Sequence, residues 1–328
     1  MSKKRRAFLK SATGLAAGFA IMCDPDAEAR AAMRLPATPA AAPASPASLP
    51  MIRLGTHEVS RLIIGSNPIH GYSHFNRLLS SHMLEWSTPD HVCDLLQRCE
   101  TQGINTWQFS HHERAMKDLG EHRRRGGNLK WILLSHREIE DDHRLIGEVI
   151  KQKPIGIVHH GGSAERKRRE GKLGLVKDFL KAVRDNGVLV GLSTHDPLFL
   201  EQSESEQWDV DFYMTALYFL TRSPDEFKKM LGSRPLGEIY LPEDPPRMCA
   251  AIRKTSKPCL AYKVLAAGRL TDSPQAIDAA FRFALENIKP RDGIIIGMYP
   301  RYSDQVAENA DRVRRFTTAP TAQQAARG

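Results

Sequence analysis

A closed barrel of eight parallel strands, each followed by a helix, is the fold class this sequence predicts: α/β, a TIM or (β/α)8 barrel. Three observations point there. From Met51 onward, eight short apolar runs alternate with stretches of helical periodicity, the pattern of βα units feeding a parallel sheet. The runs are rich in Ile, Val, Leu and aromatics without polar alternation, as strands buried on both faces are. The span from Met51 to Phe316 also has the size of one such barrel.

The expected strands are Leu62–Gly65, Ile104–Phe109, Trp131–Ser135, Ile155–His159, Val188–Ser193, Val210–Leu217, Cys259–Lys263 and Gly293–Gly297. Between them, Asp90 to Thr101 sets Val92, Leu95, Leu96 and Cys99 at helical spacing behind Thr88-Pro89, proline being favoured at a first helical position. Leu173 to Asn186 carries Val176, Phe179, Leu180 and Val183 on one stripe and stops at Asn186-Gly187. Ser273-Pro274 opens a helix through Ile277, Ala280, Phe281, Ala284 and Leu285, and Ser303 begins the last one through Val306 and Val313. These stripes are barrel packing. The connection between the sixth and seventh strands is the longest. Its prolines and acids, Leu236 to Pro246, read as an ordered loop before a helix near Arg247, either a wall of the catalytic end or a surface insertion.

The ends differ in composition. Arg5-Arg6-Ala7-Phe8-Leu9-Lys10 resembles a twin-arginine export signal, lacking only the usual Ser or Thr before the arginines. The apolar stretch Gly14 to Met22 is too short to span a bilayer, which takes about 20 apolar residues. The expected organisation is an export signal over 1–31, a disordered Ala/Pro linker over 32–50, the barrel over 51–316 and a disordered tail over 317–328. It implies the twin-arginine export machinery as a partner, a periplasmic or otherwise exported location and no stable membrane anchor. The net charge is +9, and without the basic signal about +6 remains. Arg123-Arg124-Arg125 and Arg166-Lys167-Arg168-Arg169 lack aromatic interleaving, so they are read as solvated helix faces and nucleic acid is not expected as a partner. Cys93, Cys99, Cys249 and Cys259 lack zinc-module spacing and are read as buried thiols. His57, His82, His91, His122 and His143 are read as surface residues.

The strand ends carry the chemistry. Gln108-Phe109-Ser110-His111-His112, Leu134-Ser135-His136, Val158-His159-His160 and Ser193-Thr194-His195 each close an apolar run. In a barrel these positions converge on the C-terminal face, where imidazoles bind metals or move protons.

The folded region resembles the aldo-keto reductases. Leu54-Gly55, Val59-Ser60-Arg61-Leu62 and Gly65 resemble that family's first hairpin and strand, and Gly103-Ile104-Asn105-Thr106-Trp107 its second-strand entry. Leu217-Tyr218-Phe219-Leu220-Thr221-Arg222 is similar to the sixth-strand segment whose aromatic ring stacks on nicotinamide, which implies that role for Tyr218. Ala261-Tyr262-Lys263-Val264-Leu265-Ala266-Ala267-Gly268-Arg269-Leu270 is similar to the seventh-strand loop. Ile295-Ile296-Gly297-Met298, Gln305 and Glu308-Asn309 resemble the strand and helix that hold the cofactor's phosphates and adenine, which implies NADP contacts for Gln305 and Asn309.

The family's catalytic Asp, Tyr and Lys have no counterparts: Gln108 stands at the Asp, Glu113 at the Tyr and His136 at the Lys, and only the fourth-strand His is matched, by His160. Without the Tyr–Lys pair the usual proton source is missing. His136, His160 and His195 close consecutive strands about 4.8 Å apart, so they are the expected ligands of a divalent metal. His159 and His160 point to opposite sides, and His160 is preferred. Glu113, His112 or His70 is a fourth ligand or general base, and Asp196 orients His195. Lys263 is read as a partner for a substrate oxyanion, a Schiff-base amine, a phosphate contact or the partner of a carboxylate such as Glu113. Arg301, with the free N–H groups of the last helix, is a phosphate site.

Three functions follow. The first is an exported barrel enzyme acting on a small, sugar-like carbonyl or polyol substrate with a divalent metal: an isomerase, epimerase, lyase or hydrolase, with Glu113, His160 and Lys263 as catalytic groups. The second is an NADP-dependent oxidoreductase with an altered proton donor. The third is a non-catalytic binding barrel.

Overall fold

The computed structural model describes residues 48–318. The export signal, all but the last residues of the linker and most of the expected tail lie outside the described residues.

The chain opens with a hairpin, β1 (Met51–Leu54) antiparallel to β2 (His57–Ser60). Gly55 turns it with a φ of +56°, a conformation glycine adopts without steric cost. The barrel strands follow: β3 (Leu62–Gly65), β4 (Thr106–Ser110), β5 (Lys130–Leu134), β6 (Gly156–His159), β7 (Leu189–Thr194), β8 (Phe212–Ala216), β9 (Cys259–Tyr262) and β10 (Gly293–Gly297). They pair in parallel in sequence order, and β10 returns beside β3 to close the cylinder. The fold class is the TIM barrel expected from the sequence.

Two apolar clusters hold it together. Ile63, Ile132, Val158, Phe212 and Leu260 fill the barrel interior, joined from below by Ile52, Leu54 and Val59 of the hairpin. Leu62, Ile64, Trp107, Phe109, Trp131 and Leu133 point outward into the layer between strands and helices. Both strand faces are therefore buried, which is why the strands read as unbroken apolar runs. The hairpin plugs the N-terminal end, leaving the C-terminal mouth open for a ligand.

Helix starts obey the capping signals. The Thr88 side chain accepts from His91 N ahead of Pro89–Thr101, and Ser273 accepts from Ala276 N ahead of Pro274–Asn287. The last helix begins at Gln305, not Ser303, because the Asp304 carboxylate accepts from Ala307 N at 3.2 Å and fixes the boundary. The helix expected near Arg247 begins at Asp244, since Pro245 and Pro246 fit a first turn whose N–H groups need no intrahelical partner.

Two surface expectations fail: Lys167, in the run read as a solvated face, is buried with its ammonium 3.0 Å from Glu140 Oε2, and a histidine is buried too. His122 is fully buried on the inner side of helix Glu113–Arg124, with Nε2 3.5 Å from Glu100 Oε2. The four described cysteines are free and buried.

Candidate active site

A cavity of about 480 Å³ opens at the C-terminal mouth, within the range of small-molecule sites. Its floor is the barrel centre, where Gln108, Ser110, Leu134, Met214, Tyr262 and Ile295 meet. Its long wall follows the loops after β3, β9 and β10 to the last helix, with His74, Lys263, Thr271, Ser303, Gln305 and Asn309. The long loop after β8 folds against this side. Glu238 accepts from His74 Nδ1 at 2.8 Å and from Tyr240 Oη at 2.8 Å, and the Arg269 guanidinium lies 4.1 Å from the Tyr240 ring centre. That loop is a wall of the site rather than an isolated insertion.

Lys263 is the lysine of the cavity lining. It follows β9 in a left-handed conformation, φ +60°, and Ala266 and Ala267 share that region at +48° and +51°. Each such non-glycine residue costs on the order of 1 kcal/mol or more, and such strain gathers at functional sites. The ammonium makes one long hydrogen bond, 3.5 Å to Tyr240 Oη, lies 5.9 Å from that ring's centre, and forms no ion pair with a described residue. Burial pulls its pKa from 10.5 to about 8, against the opposing field of Glu238.

Beneath the floor, three side chains form a hydrogen-bonded chain. Tyr262 Oη lies 3.1 Å from His195 Nε2 and 3.1 Å from Ser193 Oγ. His195 Nδ1 lies 3.3 Å from Glu165 Oε2. Glu165, from helix Gly161–Arg169, also accepts through Oε1 from the backbone N–H of His195 at 2.5 Å and of Asp196 at 3.0 Å, and from Thr194 Oγ1 at 2.8 Å. Burial alone would raise its carboxyl, but the bond to His195 and these N–H donors hold it at about 2. Burial pushes the Tyr262 phenol above its ordinary value. The carboxylate is ionised and the phenol keeps its proton.

The expected site residues fall into two groups. Gln108, Lys263, Gln305 and Asn309 line the cavity. The Gln108 amide bonds to no other described side chain or backbone group, whereas Gln305 Oε1 accepts from Tyr299 N at 2.7 Å and Asn309 Oδ1 from Arg312 Nη1 at 3.3 Å.

The others are elsewhere, each for a physical reason. Glu113 is the exposed first residue of its helix and pairs with Lys117 at 2.6 Å, so it is neither base nor partner of Lys263. His160 and His112 cap helices: their Nδ1 atoms accept from Ser163 N at 3.3 Å and Ala115 N at 3.2 Å. His136 stands exposed at the head of Arg137–Asp141. His70 is buried, with Nε2 3.2 Å from Asp118 Oδ2. Tyr218 is buried edge-on to Tyr240 with ring centres 5.0 Å apart, not presented to the cavity. Arg301 points outward to His82 Nε2 at 3.0 Å, so it does not join the last helix in a phosphate site. Asp196 caps Leu198 N at 2.9 Å and pairs with Arg168 at 2.7 Å, leaving Glu165 to orient His195.

The metal expectation meets the same facts. With both ring nitrogens of His195 engaged and Nδ1 of His160 occupied, His136, His160 and His195 do not assemble a ligand set. Among the described residues no group of three or more His, Cys, Asp or Glu is placed to hold a metal ion.

Sequence reasoning passed over Tyr262 and Glu165. Tyr262 stands immediately before Lys263 in a strand already assigned, and strand alternation turns it to the barrel interior. Glu165 lies five residues after His160 in a basic helix, and nothing in its neighbourhood marks it.

No family model matches the chain, and no curated protein matches it. Solved structures resemble it only in overall shape. The glycerol dehydrogenase AKR11B4 from Gluconobacter oxydans is 14% identical, covering 83% of this chain and 97% of that one at a TM-score of 0.48. A truncated 3-deoxy-D-arabino-heptulosonate 7-phosphate synthase from Thermotoga maritima is 12% identical, covering 82% and 91% at 0.47. A GH113 beta-1,4-mannanase is 12% identical, covering 71% and 93% at 0.42. The fold assignment rests on the chain's own closed strand ladder: it is a (β/α)8 barrel with a hairpin plug.

Proposed function

We propose that this barrel is an oxidoreductase whose cavity takes a nicotinamide dinucleotide together with a small carbonyl or alcohol substrate. One observation carries the reading: the Lys263 ammonium, partly buried in the cavity wall without an ion-pair partner among the described residues. A buried charge calls for a countercharge, and the cofactor's phosphates would supply it. Ser303 and Gln305 would extend that contact along the wall. At the floor, Met214 and Ile295 offer apolar surface, while the Gln108 amide is available to a polar group. Tyr218 takes no part, being turned onto Tyr240.

When bound, the nicotinamide supplies the hydride donor or acceptor. The chain's own residues anchor the phosphates, wall off water with the Glu238–Tyr240 loop and move a proton at the substrate oxygen. A sugar-like substrate would place its hydroxyls on the Gln108 amide and the Ser110 hydroxyl at the floor. The metal-assisted sugar enzyme ranks below this reading, because His160 caps a helix, His195 is bonded to Glu165 and Tyr262, and His136 stands exposed. The proposal keeps an exported location, supported by the Arg5-Arg6 signal.

A second reading draws on Lys263 itself. An amine whose pKa is lowered to about 8 is suited to imine formation with a carbonyl substrate. Borohydride trapping of an adduct on Lys263 would favour that reading.

The test of the main proposal supplies reduced nucleotide deuterated at C4 with a panel of small aldehydes, ketones and sugars. Deuterium in the product alcohol is expected. Nucleotide left unconsumed and unbound across the panel overturns the proposal.

A further inference from the structure

We propose that Tyr262, His195 and Glu165 form a proton relay in which the Tyr262 oxygen exchanges a proton with the substrate. The relay rests on the oxidoreductase reading above and supplies the proton donor that the reading otherwise lacks.

Valence fixes the direction of each bond. An ionised carboxylate only accepts, so His195 Nδ1 donates to Glu165 Oε2 across 3.3 Å. In the neutral ring Nε2 is then a bare acceptor, and the Tyr262 hydroxyl 3.1 Å away donates to it. Of the three residues, only Tyr262 lines the cavity. The arrangement is that of a nucleophile–histidine–carboxylate triad with a phenol in the first position.

In the oxidising direction, the substrate hydroxyl gives its proton to the Tyr262 oxygen while the phenol's own proton passes to His195 Nε2. The substrate's C–H bond breaks, its electron pair leaves as hydride for the oxidised nucleotide, and the C=O bond forms. Glu165 stabilises the resulting imidazolium. In the reducing direction the imidazolium returns its proton to Tyr262, which protonates the nascent alkoxide. The titratable and charged groups around His195 are Glu165 from helix Gly161–Arg169, His160 after β6, Tyr262 on β9, and Asp196 with its partner Arg168.

The test combines kinetics with nitrogen-15 NMR of the histidine rings in wild type, Y262F and E165Q. Wild type should show His195 as the Nδ1–H tautomer. In E165Q the Gln amide replaces an acceptor with a donor, so the tautomer should flip to Nε2–H while the remaining oxygen still accepts from the backbone. Y262F should keep nucleotide affinity within about 3-fold and lose turnover by about 100-fold or more. An Nε2–H tautomer in wild type, or full turnover in Y262F, overturns the relay alone. Absence of nucleotide-dependent turnover in wild type overturns the underlying reading and the relay's catalytic role with it.

Discussion

Replacing Lys263 with Met should stabilise the protein at neutral pH. The native ammonium titrates at about 8 rather than 10.5 because burial penalises its charge. At about 1.36 kcal/mol per pH unit that gap corresponds to about 3 kcal/mol of destabilisation. The side chain borders an open cavity, so solvent screening reduces the expected gain to about 1–2 kcal/mol. The sign follows from proton binding. Below about 8 both native and unfolded chains are protonated and the native chain bears the whole penalty. Between about 8 and 10.5 the unfolded chain binds the proton and the native chain does not, so wild-type stability rises with pH across that window. Denaturant melts of wild type and Lys263→Met at pH 7, 8.5 and 10.5 measure this. The variant should lead at pH 7, and the lead should shrink toward pH 10.5. A variant no more stable than wild type at pH 7, or a gap independent of pH, refutes the picture of a partly buried, unpaired charge.

The remaining expectations concern the corrected residues. Glu113→Gln removes only an exposed helix-surface pair with Lys117, so neither the denaturant midpoint nor turnover should change measurably. His160→Ala removes a helix cap and should cost about 1 kcal/mol in denaturant melts while leaving nucleotide binding intact. Asp244→Ala breaks a buried pair: its carboxylate accepts from both Arg222 Nη atoms and from Phe219 N at 3.2 Å. It should cost about 3–5 kcal/mol by the same measurement, through the guanidinium left buried and unpaired.

The barrel was legible because burial on both strand faces leaves a plain mark, an unbroken apolar run, and because Thr88-Pro89 and Ser273-Pro274 announce helix starts with local chemistry. The site was legible only in part. The recurrence of histidine at strand ends was real, but a strand end in this fold is also the head of the next helix. His112 and His160 serve those helices as caps, and His136 occupies the same kind of position. Spacing along the chain cannot separate a capping imidazole from a ligand, because both sit one or two residues past a strand. Lys263, at the end of its strand, was found from position alone. The Glu165–His195–Tyr262 chain was not, because it links helix Gly161–Arg169, β7 and β9 through side-chain directions that only packing decides. Asp196 lay nearer His195 in sequence, yet it was claimed by Leu198 N and Arg168.

The most direct test of the account is calorimetric titration of the folded full-length chain with nicotinamide dinucleotide at pH 7 and pH 9.5. An anion held by the Lys263 ammonium, whose pKa is about 8 in the free protein, should bind in saturable one-to-one fashion at pH 7. At pH 9.5 affinity should fall by up to about 30-fold as that proton is lost. No binding at either pH, or equal affinity at both, contradicts the account.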